Sequence, residues 1–110
     1  MQHPRIITLV AASLLMSQVS EVSQAETPQQ RGKDIAQGLC SRCHAIETTG
    51  NSLHLAAPRF SALNARTDLS KLARRIREGL LTGHEDMPMF RFDWDDADAV
   101  VAYIRSIQEP

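Results

Sequence analysis

Apolar side chains recur at intervals of three and four residues along three stretches of the chain, at 29–39, 69–78 and 94–108. In the first stretch the recurring positions are Gly32, Ile35, Ala36 and Leu39. In the second they are Leu69, Leu72, Ala73 and Ile76, and in the third Ala97, Val100, Val101 and Ile104. This spacing turns one side of an α-helix toward a core, so the pattern predicts three amphipathic helices.

Residues at the ends of these stretches are of the kinds that begin and end helices. Pro28 suits the first turn of the first helix, because its fixed φ is helical and its missing N–H is not needed there. Thr67 or Asp68 can cap the second helix, and Gly79 can end it. Asp93 can cap the third helix, near the positive end of the helix dipole.

The segments between the predicted helices, 45–66 and 80–92, follow no regular period. No part of the chain shows the period-two alternation of a half-buried strand. We therefore expect an all-α fold whose two long irregular segments wrap or bind something. A domain this small, with few aromatic residues, also needs a bound group or a cross-link to complete its core.

The N-terminal segment has the features of a cleavable secretory signal. Arg5 precedes an apolar run at 6–16, and Ser23 and Ala25 frame a cleavage site after Ala25. The run is shorter than the about 20 residues that span a bilayer, and a buried N-terminal helix is the alternative. We expect residues 1–25 to be removed and residues 26–110 to form one domain in the periplasm, without stable membrane insertion.

The net charge of the chain limits the kinds of binding partner that are expected. The formal net charge is −1, which lacks the basic excess of nucleic-acid-binding proteins. Basic residues nevertheless cluster around the second helix, at Arg66, Lys71, Arg74, Arg75 and Arg77. This cluster is either a docking surface for an acidic redox partner or a solvated helix face.

Both cysteines of the chain lie in one short stretch, CSRCH, at 40–44. A redox dithiol would need a βαβ context, which is not predicted. A structural zinc would need four ligands, and beyond Cys40, Cys43 and His44 only His54 and His84 are at hand. A disulfide between the two cysteines would close a very small loop and stabilise the fold little.

Covalent haem attachment accounts for the whole motif. The C-x-x-C-H arrangement allows Cys40 and Cys43 each to form a thioether with one haem vinyl group. His44 then lies next to the ring and can bind the iron. The motif therefore predicts one covalently bound haem c, with His44 as an axial ligand.

A sixth iron ligand is expected from the stretch HEDMPMF at 84–90. A methionine thioether is a common partner of histidine on cytochrome iron. We expect Met87 to be this ligand, because Pro88 stiffens the chain directly after it. The alternatives are Met89, His84 and His54.

In these features the chain resembles the class I cytochromes c, which are small monohaem electron carriers of the bacterial periplasm. The resemblance covers nearly all of residues 29–108 and rests on GKDIAQGLCSRCH, APRF, REGLLTGHEDMPMF and DADAVVAYIRSI, in that order. It implies that Pro58 offers its carbonyl to His44, and that Gly32 and Tyr103 form the close contact between the first and last helices. Ala36 and Ala57 stand where the family often has an aromatic residue and a glycine.

The resemblance implies a function as a one-electron carrier between redox proteins rather than as an enzyme. The donor would be a dehydrogenase or a bc-type complex, and the acceptor an oxidase or reductase. We expect a monomer, in which Arg42 or Arg59 could pair with a haem propionate or help docking to a partner. The alternatives are a haem subunit of a periplasmic dehydrogenase complex and a gas-binding or peroxidatic haem protein.

Overall fold

The computed structural model describes residue 1, residues 20–79 and residues 85–110. Its helices, in chain order, are α1 (Pro28–Leu39), a 3₁₀ helix (Phe60–Ala65), α2 (Leu69–Glu78) and α3 (Trp94–Ser106). The described part of the chain contains no strand, so the predicted all-α fold is confirmed. None of its helices has the length and apolarity needed to cross a bilayer. Most of the predicted signal segment, and His84, lie outside the described residues.

The helix ends follow from local capping chemistry. Thr27 caps α1 through a reciprocal pair of hydrogen bonds with Gln30, and Pro28 occupies the first turn. Asp68 caps α2, which ends at Gly79 in a left-handed conformation with φ of 71°. Asp93 caps α3 by accepting a hydrogen bond from the backbone of Asp96. These boundaries confirm the predicted ones for α2 to the residue.

The end of α3 differs from the prediction by two residues. The helix stops at Ser106, although the apolar pattern extends to 108. The reason is the side chain of Gln108, whose Nε2 donates to Ile104 O at 2.7 Å and to Phe60 O at 2.6 Å. The first bond satisfies a carbonyl near the end of α3, and the second ties the chain to the 3₁₀ helix.

The 3₁₀ helix lies inside the segment 45–66 that was predicted to be irregular. Phe60 is buried, and Leu63 packs against the same core cluster. In a 3₁₀ helix, residues three apart lie above one another, so this pair faces the core together. The 3₁₀ helix therefore depends on tertiary contacts, which no local sequence pattern predicts.

The tightest contact in the fold is the crossing of α1 and α3. A Cβ atom added to Gly32 would overlap the backbone carbonyl of Ala99 and lie 2.9 Å from Tyr103 Cβ. The predicted contact of Gly32 with Tyr103 is thereby confirmed. Ala36, where the family often has an aromatic residue, is 0% exposed. A small side chain here lets the two backbones approach closely.

The helix α2 packs on the other side of α3 through Leu72 and its partly buried neighbours. At its C-terminal end, the Arg77 guanidinium lies over the Trp94 ring, 3.9 Å from the ring centroid. This cation–π contact joins the end of α2 to the start of α3. The two helices thus hold both ends of the segment that contains Met87.

Candidate functional site

The CSRCH motif begins where α1 ends. Cys40 is the C-cap of α1, and its N–H donates to Ala36 O. The carbonyl of Cys40 then accepts hydrogen bonds from Cys43 N at 3.2 Å and His44 N at 3.0 Å. This tight turn brings both sulfur atoms and the imidazole to the wall of a single cleft.

The cleft consists of two adjoining cavities of about 580 Å³ and 290 Å³. Five residues line both of them, and these are Cys40, His44, Ala56, Met87 and Phe90. The larger cavity reaches the surface at Leu39, which explains why this predicted core residue is 42% exposed. The smaller one penetrates to the core residues Leu72, Val100 and Ile104. The volumes are those of sites that enclose a small-molecule ligand or cofactor.

Both cysteines are free thiols and are half-buried. Burial, with a smaller contribution from the neighbouring Cys43, raises the pKa of Cys40 to about 11. The Cys40 thiol is therefore protonated at neutral pH. Within the described part of the chain, no three histidine, cysteine or acidic side chains gather in a way that could hold a metal ion. The geometry thus gives no support to the zinc alternative.

His44 is oriented by a backbone carbonyl. Its Nδ1 donates to Pro58 O at 2.7 Å, the hydrogen bond that the family resemblance implied. Because a carbonyl can only accept, this bond places a proton on Nδ1, so in the neutral tautomer the lone pair is on Nε2. The ring of Phe60 lies 5.1 Å from the imidazole, centroid to centroid, and is tilted by 48°. A neutral Nε2 is the form that binds iron.

The four candidates for the sixth ligand differ in placement. Met87 is half-buried and lines both cavities, whereas Met89 is 81% exposed. His54 lines the larger cavity, but its Nε2 lies 3.0 Å from Asp86 Oδ2. His84 lies outside the described residues. Of the described candidates, the cleft therefore favours Met87.

The close polar contact between His54 and Asp86 was missed in the sequence. It joins the loop after CSRCH to the segment before Met87 across the larger cavity. The two residues are 32 positions apart, and although each lies in or near a stretch considered for iron ligation, no sequence signal pointed to their pairing. Phe90 was also missed, although it lines both cavities and packs against Phe92 with ring centroids 5.9 Å apart.

The arginines near the motif have separate roles. Arg42 lines the larger cavity and remains a candidate for a propionate contact. Arg59 instead pairs with Glu109 at 2.7 Å. The smaller cavity is lined by Arg66 and Arg75, two members of the basic cluster around α2. Sequence proximity to CSRCH thus pointed to Arg42 but not to Arg66 and Arg75, which also line the cleft.

The residues of the cleft fit a covalently bound haem. Two reduced thiols lie beside an imidazole with the lone pair on Nε2, and a thioether lines the same space. These are the donors by which haem c is attached and ligated. The remaining lining is largely apolar, as a flat aromatic macrocycle requires.

Comparison with known proteins agrees with this fit. The family model described as Cytochrome c matches residues 29–108, which include all three helices and the whole cleft. Searches of curated proteins and of solved structures gave no match. Members of the matching family bind haem c covalently and carry electrons. Because the match covers most of the chain, the chain belongs to the cytochrome c family.

Proposed function

We propose that this chain carries one electron at a time on a single haem c, with His44 and Met87 as the axial iron ligands. The observation that carries the proposal is the shared lining of the two cavities, where the imidazole and the thioether border the same enclosed space. When bound, the haem supplies an iron that alternates between the ferric and ferrous states.

Attachment uses both thiols of the motif. On attachment, the S–H bond of Cys40 would add across one vinyl double bond, with sulfur bonding to one carbon and hydrogen to the other. Cys43 would do the same at the second vinyl group. No oxidant or reductant is consumed in either addition. The protonated state of Cys40 is consistent with a thiol as the adding species.

The axial ligands determine which chemistry is possible. His44, polarised by its hydrogen bond to Pro58, is a strong donor to iron. Met87 is a soft, neutral donor, which favours ferrous iron and raises the reduction potential. With both positions taken by His44 and Met87, neither oxygen nor a substrate would bind the iron. Electron transfer is the function that remains.

The setting of the protein is also part of the proposal. The apolar run at 6–16 and the site after Ala25 support export to the periplasm as residues 26–110. There a monomer would exchange electrons with a donor dehydrogenase or bc-type complex and an acceptor oxidase or reductase. The alternative role as a subunit of a dehydrogenase complex predicts a partner that stays bound at high salt during purification.

Attachment is tested by extracting the purified protein with acidified acetone. We expect the haem to remain on a polypeptide whose mass corresponds to residues 26–110 plus one haem. Cys40→Ala or Cys43→Ala alone should leave one thioether, whereas the double variant should release its haem. Extractable haem in the wild type would contradict covalent attachment.

Ligation is tested by the near-infrared absorption band of ferric haem that is bound by methionine sulfur. We expect the band at neutral pH and no carbon monoxide binding by the reduced protein. Absence of the band together with carbon monoxide binding would reject Met87 ligation and favour the gas-binding alternative.

A further inference from the structure

Two residues that follow α3, Gln108 and Glu109, turn back onto the 3₁₀ helix. The N–H of Glu109 donates to Ser61 O at 2.7 Å. Its carboxylate oxygen Oε1 accepts from Arg59 Nη2 at 2.7 Å and from Ser61 Oγ at 3.2 Å. Ser61 is 0% exposed, so its hydroxyl depends on this carboxylate for its partner.

Gln108 holds the same element at a neighbouring point. Its Nε2 donates to Phe60 O at 2.6 Å, and its Oε1 accepts from Asn64 N at 2.9 Å. The same Nε2 also bonds to Ile104 O, which anchors the side chain to the end of α3. Gln108 and Glu109, here called the C-terminal clamp, therefore tie the rigid helix α3 to the start of the 3₁₀ helix.

The residues that the clamp holds begin directly after Pro58 and include Phe60, and Pro58 and Phe60 both contact the imidazole of His44. Pro58 accepts the Nδ1 hydrogen bond, and Phe60 places its ring 5.1 Å from the imidazole. Arg59, the residue between them, is the one that Glu109 binds. The N–H of Phe60 also donates to Ala45 O at 2.9 Å, next to His44. A shift of this segment would therefore move the carbonyl that orients the imidazole.

We infer that the C-terminal clamp is a positioning device for His44, an inference that rests on the proposed role of His44 as an iron ligand. Gln108 and Glu109 keep the carbonyl of Pro58 at hydrogen-bond distance from Nδ1. A close acceptor draws the Nδ1 proton away from the ring and makes Nε2 a stronger donor to ferric iron. Loosening the clamp weakens that effect. The clamp thus tunes the reduction potential without touching the haem.

Three variants of the holoprotein test this inference. Glu109→Ala removes the acceptor for both Arg59 and Ser61, and Glu109→Gln keeps a carbonyl oxygen that can accept both bonds. Asp96→Ala is the matched control, because it breaks the ion pair with Arg31, which joins α1 to α3. That pair involves none of residues 58–61.

Two readouts separate positioning from mere support of the fold. One is the rate at which the Nδ1 proton of His44 exchanges with deuterium in the ferric protein, followed by its paramagnetically shifted NMR signal. The other is the midpoint potential. In Glu109→Ala we expect the Nδ1 proton to exchange about five- to tenfold faster. This factor corresponds to the net free energy that one hydrogen bond contributes. The potential should rise, because the imidazole becomes a weaker donor to ferric iron.

Glu109→Gln should restore both values to near those of the wild type. Asp96→Ala should lower the melting temperature without changing either. If Glu109→Ala melts at a lower temperature but keeps the wild-type exchange rate and potential, the clamp is only a structural anchor and the inference is wrong.

If Glu109→Ala fails to fold, Arg59→Ala serves in its place. It removes only the ion pair and leaves the bonds between Glu109 and Ser61, so a smaller change in the same direction is expected. An unchanged exchange rate in Arg59→Ala would likewise overturn the inference. A wild-type protein without a shifted His44 signal would instead reject His44 as a ligand, and with it the proposed function.

Discussion

Gly32 in α1 lies directly against the backbone carbonyl of Ala99 in α3. No other residue type fits at this point, because any Cβ atom would overlap that carbonyl and press on Tyr103. At Gly32, the backbone of α1 can therefore pack directly against the backbone of α3. The α1–α3 crossing positions Cys40, since Cys40 is the C-cap of α1.

Gly32→Ala should destabilise the protein severely. The added methyl group must displace backbone rather than a flexible side chain, so we expect a loss of about 3 kcal/mol or more in the free energy of unfolding. Gly38→Ala is the control, because nothing lies within 4 Å of its Cβ position in the same helix. It should stabilise the protein by up to about 1 kcal/mol through helix propensity. Denaturant unfolding measures both changes. Equal free energies of unfolding for the two variants would contradict this prediction.

Tyr103→Phe should remove one buried hydrogen bond. The Tyr103 hydroxyl donates to Ile46 O at 2.6 Å, and the variant leaves that carbonyl without this donor. We expect a loss of about 1–3 kcal/mol. Burial, and to a lesser extent Glu47, raises the pKa of Tyr103.

The raised pKa of Tyr103 makes its contribution depend on pH. For an acid whose folded pKa is raised, the stability is fully present below the unfolded pKa, which is about 10 for tyrosine, and is lost as pH rises above it. The difference in unfolding free energy between wild type and Tyr103→Phe should therefore shrink above pH of about 10. A difference that stays constant across this range would show that the phenol does not titrate with unfolding.

Met87→Ala should open the sixth position of the iron. We expect loss of the near-infrared band, a high-spin or water-ligated ferric spectrum, carbon monoxide binding when reduced, and weak peroxidase activity. Met87→His should remain low-spin with a lower potential, because imidazole stabilises ferric iron more than a thioether does.

The matched control is Met89→Ala, which changes the same residue type two positions away. Met89 is largely exposed, and its sulfur lies beside Gly79. We therefore expect the band and the ligation to be unchanged. If the band survives Met87→Ala and disappears in Met89→Ala, Met89 is the ligand.

The basic cluster around α2 should influence electron exchange with charged reagents. Arg66 and Arg74 are exposed and have no acidic partner among the described residues, whereas Arg75 donates to Thr67 Oγ1 at 3.0 Å. Because Arg66 also lines the smaller cavity, reversal of Arg74 alone to glutamate is the cleaner variant. At low salt it should slow oxidation by ferricyanide by up to about tenfold, and added salt should reduce the difference.

A cationic oxidant provides the control for the α2 variant, because the same substitution should leave its rate unchanged or increase it. The absorption spectrum should not change in either case. Equal rates with both oxidants would show that this face is only a solvated helix surface.

Local chemistry made much of the fold predictable from the sequence. Pro28, Asp68 and Gly79 mark helix ends because capping involves only residues within one turn of each other. The CSRCH motif is equally local, so the attachment site could be predicted from five residues. The contact of Gly32 with Tyr103 is not local, and it was expected only because of the family resemblance.

The features that were missed depend on partners far apart in the chain. The 3₁₀ helix at Phe60–Ala65 is held by Gln108, and Arg59 is bound by Glu109, 50 positions later. Neither a periodic pattern nor a capping signal encodes such pairings. For the same reason the pairing of Arg59 with Glu109 was not predicted from the sequence.

The cation–π contact between Arg77 and Trp94 joins the two ends of the segment that contains Met87. This segment is therefore a loop whose ends are held together. A ligand on such a loop is tethered near its binding site. Its binding is then set by its effective concentration there as well as by its intrinsic affinity for iron. For a short tether this concentration is in the millimolar range, so a free ligand at micromolar concentration would need an affinity about a thousandfold higher to displace the thioether. If Met87 is the ligand, as proposed, this loop closure would offset the weak donor strength of its thioether against molecules in solution.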